Sequence, residues 1–231
     1  MATYYSFPRT GRTSKREKIA ALSPDVIIGS TIRHDKALYR QLSAIAPTVF
    51  TQTIGEAWKE NLPLIARSLA HEQKGREIIQ RYEQRTTAIE AALEESGHAD
   101  TTVSLVRFNP GQVRLYNGYP GAIIEDVGLS LPKEQQRVLE GKQIVTFTSK
   151  ERIPLLDADV LFHWSTDWWD PGKASETRGE WTNTELWNKL SVVKTGEIHQ
   201  VNAVYWNLAG GVLAAHRVLD DIEAAFQLEI E

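Results

Sequence analysis

The stretch Gln73–Ser96, QKGREIIQRYEQRTTAIEAALEES, decides how the chain is organised. Its apolar residues Ile78, Ile79, Tyr82, Ile89, Ala92 and Leu93 recur at spacings of three and four, which is one face of an α-helix. The opposite face carries Arg76, Glu77, Arg81, Glu83, Gln84, Arg85, Glu90 and Glu94. Glu77 and Arg81 attract at i,i+4, whereas Arg81 and Arg85 repel, so charge pairing alone does not make this helix. About 22 residues at a rise of 1.5 Å span roughly 33 Å, the width of a small domain. Such a helix is either a rigid spacer between two halves or an ordinary long surface helix of one domain.

Working outward decides between these. On the N-terminal side, Lys15–Leu22 is a short amphipathic helix pattern that Ser23-Pro24 ends. Asp25–Gly29 is an apolar run closed by Gly, a buried parallel-type strand, and Asp35–Ile45 follows as a helix. Thr48–Phe50 is a second strand, so strand, helix and strand suggest a crossover unit. Glu56–Ala70 is helical with Pro63 inside, where the helix restarts or kinks. On the C-terminal side, Thr102–Phe108 reads as a strand, Asn109-Pro110-Gly111 as a turn and Gln112–Tyr116 as a second strand. Asn117–Gly121 is a Gly/Pro-rich loop and Ala122–Gly128 a short helix. Ile144–Phe147, Asp159–His163 and Ile198–Val204 read as further strands. Trp164–Thr184 is expected to be a long Trp-rich loop, and Tyr205–Gln227 becomes an amphipathic helix. The fold class is therefore α/β, with two α/β lobes bridged by one long α-helix. The expected division is a partial N-terminal lobe at 1–55, a helical segment with the linker helix at 56–97 and a C-terminal lobe at 98–231. The first lobe is small, because two short strands do not make a covered sheet.

Composition narrows the function. With 231 residues, 42% apolar and 24% charged, the chain has the make-up of a globular protein. A net charge of −4 argues against a nucleic-acid partner. No run of 18 apolar residues is present, and the absence of cysteine excludes disulfides and thiolate chemistry. G-x-G-x-x-G after a strand, a P-loop and G-x-S-x-G are all missing. None of the six histidines pairs at metal-ligand spacing. Asp157, Asp159, Asp167 and Asp170 cluster, which leaves a sugar-acting hydrolase with paired carboxylates as an alternative.

The residues that do combine are arginines and aromatics past the ends of strands. Arg33, Arg107 and Arg114 lie there, with Tyr116, Trp164, Trp168, Trp169, Tyr205 and Trp206. Ligands of parallel α/β sheets bind outside the carboxyl ends of the strands. Guanidinium forks there take carboxylates or other anionic oxygens, and aromatics supply apolar walls. The set suits a bulky anionic ligand with exposed carbon surface.

These residues sit in a series of motifs that resembles a known family. K-I-A-A-L-S-P-D-V-I-I-G at Lys18–Gly29 is similar to a signature of the extracytoplasmic substrate-binding proteins of iron–siderophore ABC transporters. Arg33-His34, Q-L-S-A-I-A-P-T-V at Gln41–Val49 and W-K-E-N at Trp58–Asn61 continue it. V-R-F-N-P-G at Val106–Gly111, L-D-A-D-V-L-F at Leu156–Phe162, L-W-N-K-L-S-V-V-K-T-G at Leu186–Gly196 and W-N-L-A-G-G-V-L-A-A at Trp206–Ala215 follow in the family's order. The resemblance covers about residues 15–228.

The resemblance implies two lobes joined by a helix, with a ferric siderophore of hydroxamate or citrate type in the cleft between them. It implies a binding protein rather than an enzyme, without a cofactor of its own. The ligand-binding residues would be Arg33, Arg107, Arg114, Tyr116, Trp164, Trp168, Tyr205 and Trp206. The partners would be ABC transporter permease subunits, docked through Asp35 and Glu125 by a monomer held in the periplasm or at the cell surface. Haem, cobalamin or a metal ion is the alternative ligand. Family members begin with a signal peptide, which the basic start MATYYSFPRTGRTSKREK does not resemble. They also carry about 70–100 further residues of the first lobe, on the scale of a ~100–150-residue lobe, so the sequence reads as N-terminally truncated.

Overall fold

A computed structural model describes residues 15–31, 36–167 and 170–230. They form two compact units. The first comprises the described residues up to Ile54 together with Glu60–Arg76, and the second comprises Gly55–Lys59 and the chain from Glu77 onward.

In the first unit, α1 (Lys15–Ala21) precedes β1 (Ile27–Ser30), α2 (Lys36–Ser43) and β2 (Thr48–Thr51). β1 and β2 are parallel, with Ile27 opposite Thr48 and Ser30 opposite Thr51. Tyr39 of α2 packs edge-on against Phe50 at 5.4 Å and donates its hydroxyl to the Thr48 carbonyl. α3 (Trp58–Ser68) runs through Pro63 as one helix, although proline removes a backbone donor there. α4 (Glu72–Glu95) is the long helix that the periodicity at Gln73–Ser96 predicts. Gly75 lets α3 and α4 approach closely, because a Cβ on it would lie 2.6 Å from the Ala66 methyl.

The second unit holds a five-stranded mixed sheet in the order β5-β4-β3-β6-β7. β3 (Val103–Asn109) and β4 (Gln112–Tyr116) form a hairpin, with Gly111 at φ +68 in the left-handed region its two-residue turn needs. α5 (Gly118–Asp126) and α6 (Lys133–Leu139) lead to β5 (Ile144–Phe147), antiparallel to β4. After a 3₁₀ segment at Lys150–Leu156 comes β6 (Val160–Ser165), parallel to β3. Then come α7 (Lys173–Thr182), α8 (Glu185–Asn188), α9 (Ser191–Thr195) and β7 (Ile198–Gln200). A π-helical turn at Val204–Leu208 precedes α10 (Gly211–Phe226).

Alternation along the strands separates two faces. Val106, Phe108, Val113, Leu115, Leu161 and Phe147 point into one core with Ile153, Leu156, Trp181, Trp187 and Leu190. The residues between them in the strands (Leu105, Arg107, Arg114, Tyr116, Phe162 and Trp164) share the other face. There Trp206 of the π-turn stacks on Phe162 with ring centroids 4.8 Å apart. α10 is held to α4 through Arg85, which donates to Glu223 at 3.0 Å, to Asp220 at 2.6 Å and to the His216 carbonyl at 3.0 Å. Asp126 at the end of α5 accepts from Lys59 at 2.6 Å and from the Tyr82 hydroxyl at 2.7 Å.

Two expectations need correction. The Trp-rich stretch 164–184 is not one long loop: Trp164 lies within β6, and Lys173–Thr182 is helical with Trp181 in the core. Its polar residues face solvent and mask a period that only Ala174, Thr177 and Trp181 carry. The expected loop at Asn117–Gly121 is instead the first turn of α5, where Pro120 is tolerated because first-turn donors have no intrahelical partner. α6 and α9 are short helices that no sequence period announced.

His163 of β6 lies in the core face against Phe108 at 5.6 Å, and its Nδ1 is buried without a partner. Burial, with smaller contributions from Arg178 and His199, pushes its pKa down to about 4. The unfolded chain, with an ordinary imidazole near 6.5, therefore binds a proton that the folded chain refuses between these values. Stability attributable to this residue is full above pH 6.5, falls as the pH drops and levels off below about 4. Between pH 7.5 and 4.5 the expected loss is about 2–3 kcal/mol. Urea unfolding of the wild type and His163→Leu at the two pH values should show the wild type losing that much more than the variant.

Candidate functional site

β3 is buried along its length except at Arg107. The antiparallel register sets Arg107 opposite Arg114, and the parallel register sets Arg107 opposite Trp164, so Arg114, Arg107 and Trp164 form one row across the sheet. Side chains directly opposite on one face lie within interaction range, and like charges there repel. Neither guanidinium has an ion pair among the described residues, and the Arg114 Nε is buried without any partner. A pair of cations held side by side in this way favours an anion between or above them.

Arg107 is fixed by three neutral acceptors. Its Nε donates to Thr166 Oγ1, just past β6. Its Nη1 donates to the Tyr116 hydroxyl at 2.7 Å and to Asn207 Oδ1 at 2.9 Å. Its Nη2 carries no hydrogen bond to the described protein and remains for a ligand. The Arg107 Cζ also lies 5.9 Å from the centroid of the Tyr116 ring.

The aromatics expected as walls divide by burial. Trp164 and Trp206 are completely buried, and Tyr116 is nearly so. Trp164 packs edge-on against Tyr116 at 5.2 Å and donates its indole N–H to Asn207 at 3.3 Å. Trp206 donates its indole N–H to Asp221 at 2.6 Å. Burial raises the Asp221 pKa, and the Trp206 hydrogen bond works against that rise. Trp164 and Trp206 thus support the site from behind, while Tyr205 is half-buried on the same π-turn. The structure brings together Arg107, Arg114, Tyr116, Trp164 and Trp206. Arg33, Asp35 and Trp168 lie outside the described residues. Glu125 is exposed and lines a separate hollow of about 570 Å³ with Glu56, Asn117, Glu140 and Lys142.

Two residues of the site escaped the sequence reading. Thr166 lies in the polar run Ser165-Thr166-Asp167 at the end of a strand, where nothing in the sequence singles it out. Asn207 follows Trp206 in the W-N-L-A-G-G motif, but the π-turn breaks the helical period that would have assigned it a face. The aspartate cluster is used structurally. Asp157 accepts from the Ser191 and Val192 N–H groups, Asp159 from Thr102 and Asp167 from Gly172. Carboxylates held in this way secure loops.

Residues 9–203 match a protein family described as periplasmic binding protein. A probable siderophore-binding lipoprotein of Bacillus subtilis, YfiY, is 40% identical over 91% of this chain and 65% of its own length. The achromobactin-binding periplasmic protein of Dickeya dadantii is 29% identical over 89% of this chain and 67% of its own length. This chain therefore spans about two thirds of the length of these relatives. Staphylococcus aureus SirA complexed with staphyloferrin B superposes with a TM-score of 0.85 at 32% identity, covering 94% of this chain and 76% of that one. S. aureus FhuD2 with bound ferrioxamine B shares the fold, with a TM-score of 0.71 at 22% identity, over 91% of this chain and 79% of that one. On the match over residues 9–203, the chain belongs to the periplasmic binding protein family.

Proposed function

We propose that the protein is the solute-binding component of an ABC importer and binds an anionic ferric siderophore of citrate type. The observation that carries this reading is the cross-strand pair Arg107 and Arg114, two arginines on one face with no ion pair among the described residues. A neutral hydroxamate chelate gains little from two uncompensated cations, whereas a citrate-type chelate presents carboxylate oxygens to them. The relatives named above, described as siderophore-binding and achromobactin-binding, support a siderophore as the ligand. The iron is cargo, already coordinated by the siderophore, so the protein supplies charge and shape rather than metal ligands. Permease subunits would be the partners, Glu125 the docking residue of the second unit, and the periplasm or cell surface the place of action.

Tryptophan fluorescence tests the reading directly. Ferric schizokinen, a citrate-hydroxamate chelate whose iron complex is an anion, is titrated beside ferrichrome, a neutral trihydroxamate chelate. Saturable quenching by the first at micromolar concentration or below, and weaker binding of the second, is expected. A flat response to both from a cooperatively folded protein would refute it.

A further inference from the structure

We propose that Asn207 is the specificity-determining residue of this site: its neutral amide orients Arg107 while leaving the guanidinium's charge available for an anionic chelate. The inference rests on the function proposed above and deepens it.

The amide's orientation follows from its partners. Arg107 Nη1 and the Trp164 indole N–H both donate to the same atom of Asn207, at 2.9 Å and 3.3 Å, so that atom is the carbonyl oxygen. The amide nitrogen makes no hydrogen bond to the described protein and keeps two donors for a ligand oxygen. A carboxylate would hold Arg107 in the same place more tightly, since charge-assisted bonds are the stronger ones. It would also cancel the charge and turn an acceptor toward the ligand. The other two acceptors on Arg107, Thr166 and Tyr116, are neutral as well. All three positions thus fix geometry without compensating charge, in a site where Arg114 has no ion pair among the described residues either.

The backbone supports this role. Asn207 sits on the π-turn, whose Ala209 N–H reaches back five residues to the Val204 carbonyl at 2.8 Å. Trp206, the preceding residue, is locked between Phe162 and Asp221. Asn207 therefore has little freedom to turn away when its side chain is changed.

The test uses the full chain with Asn207→Asp and Asn207→Ala, titrated with ferric schizokinen and ferrichrome by tryptophan fluorescence at two ionic strengths. Asn207→Asp is expected to melt like the wild type and to lose affinity for the anionic chelate about 30-fold, on a charge pair at partly buried dielectric. Its affinity for ferrichrome should hold, and the salt dependence of anion binding should flatten. Asn207→Ala adds no charge and is expected to lose about fivefold, the scale of one hydrogen bond, with the salt dependence kept. A folded Asn207→Asp that binds ferric schizokinen like the wild type would overturn the inference. So would an Asn207→Ala protein with unchanged affinity, whether or not the aspartate variant folds. Failure of the wild type to bind either chelate would instead overturn the function on which the inference rests.

Discussion

Arg107→Ala is expected to weaken binding of ferric schizokinen about 30- to 1,000-fold, equivalent to about 2–4 kcal/mol for loss of one partner of a partly buried charge contact. The same change should lower the melting temperature of the free protein only slightly, because relief of the repulsion with Arg114 offsets part of the loss of the bonds to Thr166, Tyr116 and Asn207. Both results follow from one arrangement. Arg107 faces Arg114 across the hairpin, and neither has a carboxylate partner among the described residues, so the pair carries a repulsion that an anionic ligand relieves. Deleting one cation removes the repulsion along with the attraction for the anion. Stability and function are set against each other at this position, as is common where a site must hold charge ready for a partner. The melting temperature read with and without saturating chelate separates the two effects. At equal chelate concentration the wild type should gain clearly more stability on loading than the variant. A variant that still gains as much would place the anion elsewhere.

Trp206→Ala has the largest expected effect on stability. The indole is fully buried, stacks on Phe162 and donates to Asp221. Truncating a buried tryptophan typically costs about 3–5 kcal/mol, and here the half-buried Asp221 would also lose its hydrogen-bond donor. For a chain of this size the melting temperature should fall by about 10 °C or more. Binding should fall with it even below the melting transition, because the π-turn that carries Asn207 loses its anchor. Differential scanning calorimetry with a parallel fluorescence-free binding assay, such as equilibrium dialysis with radioactive iron, measures both. Trp206→Phe, which keeps the stack and loses the N–H, should recover most of the stability. If the alanine variant melts like the wild type, the stack on Phe162 contributes far less than its burial implies.

Much of this could be read from the chain. The long helix announced itself through Ile78, Tyr82, Ile89 and Leu93, because a 24-residue helix repeats its buried face enough times to be seen. β3, β6 and the Asn109–Gly111 turn were equally plain, since a strand covered on both faces is continuously apolar. Arg107 stood out for the complementary reason: a charge in such a strand needs an explanation. Helix α7 stayed hidden because only three of its residues are buried, and short helices such as α6 and α9 complete too few turns to show a period. Within the site, the sequence marked the large side chains and missed the small polar ones. Trp164 and Trp206 read as ligand walls because aromatics near strand ends usually are. Only coordinates show that they are wholly covered and that Asn207 and Thr166 hold the arginine. No pattern of hydrophobicity marks a residue whose task is to stay uncharged.

The π-turn at Val204–Leu208 has a consequence for how this segment tolerates length change. A turn closed from Ala209 to Val204 is, in effect, a helical turn with one residue inserted. Each helical residue advances the chain by about 100°. Removing a single residue between Val204 and Leu208 would let an ordinary helical turn form, with no loss of backbone hydrogen bonds. It would also rotate everything on one side of the deletion by about a quarter turn relative to the other. Trp206 and Asn207 are adjacent, so they would turn together, and the stack on Phe162 and the bond to Arg107 would be kept or lost as a pair. The count of residues in this turn thus matters as much as their identity, because a deletion that looks harmless to the turn would rotate the pair against β7 or against α10.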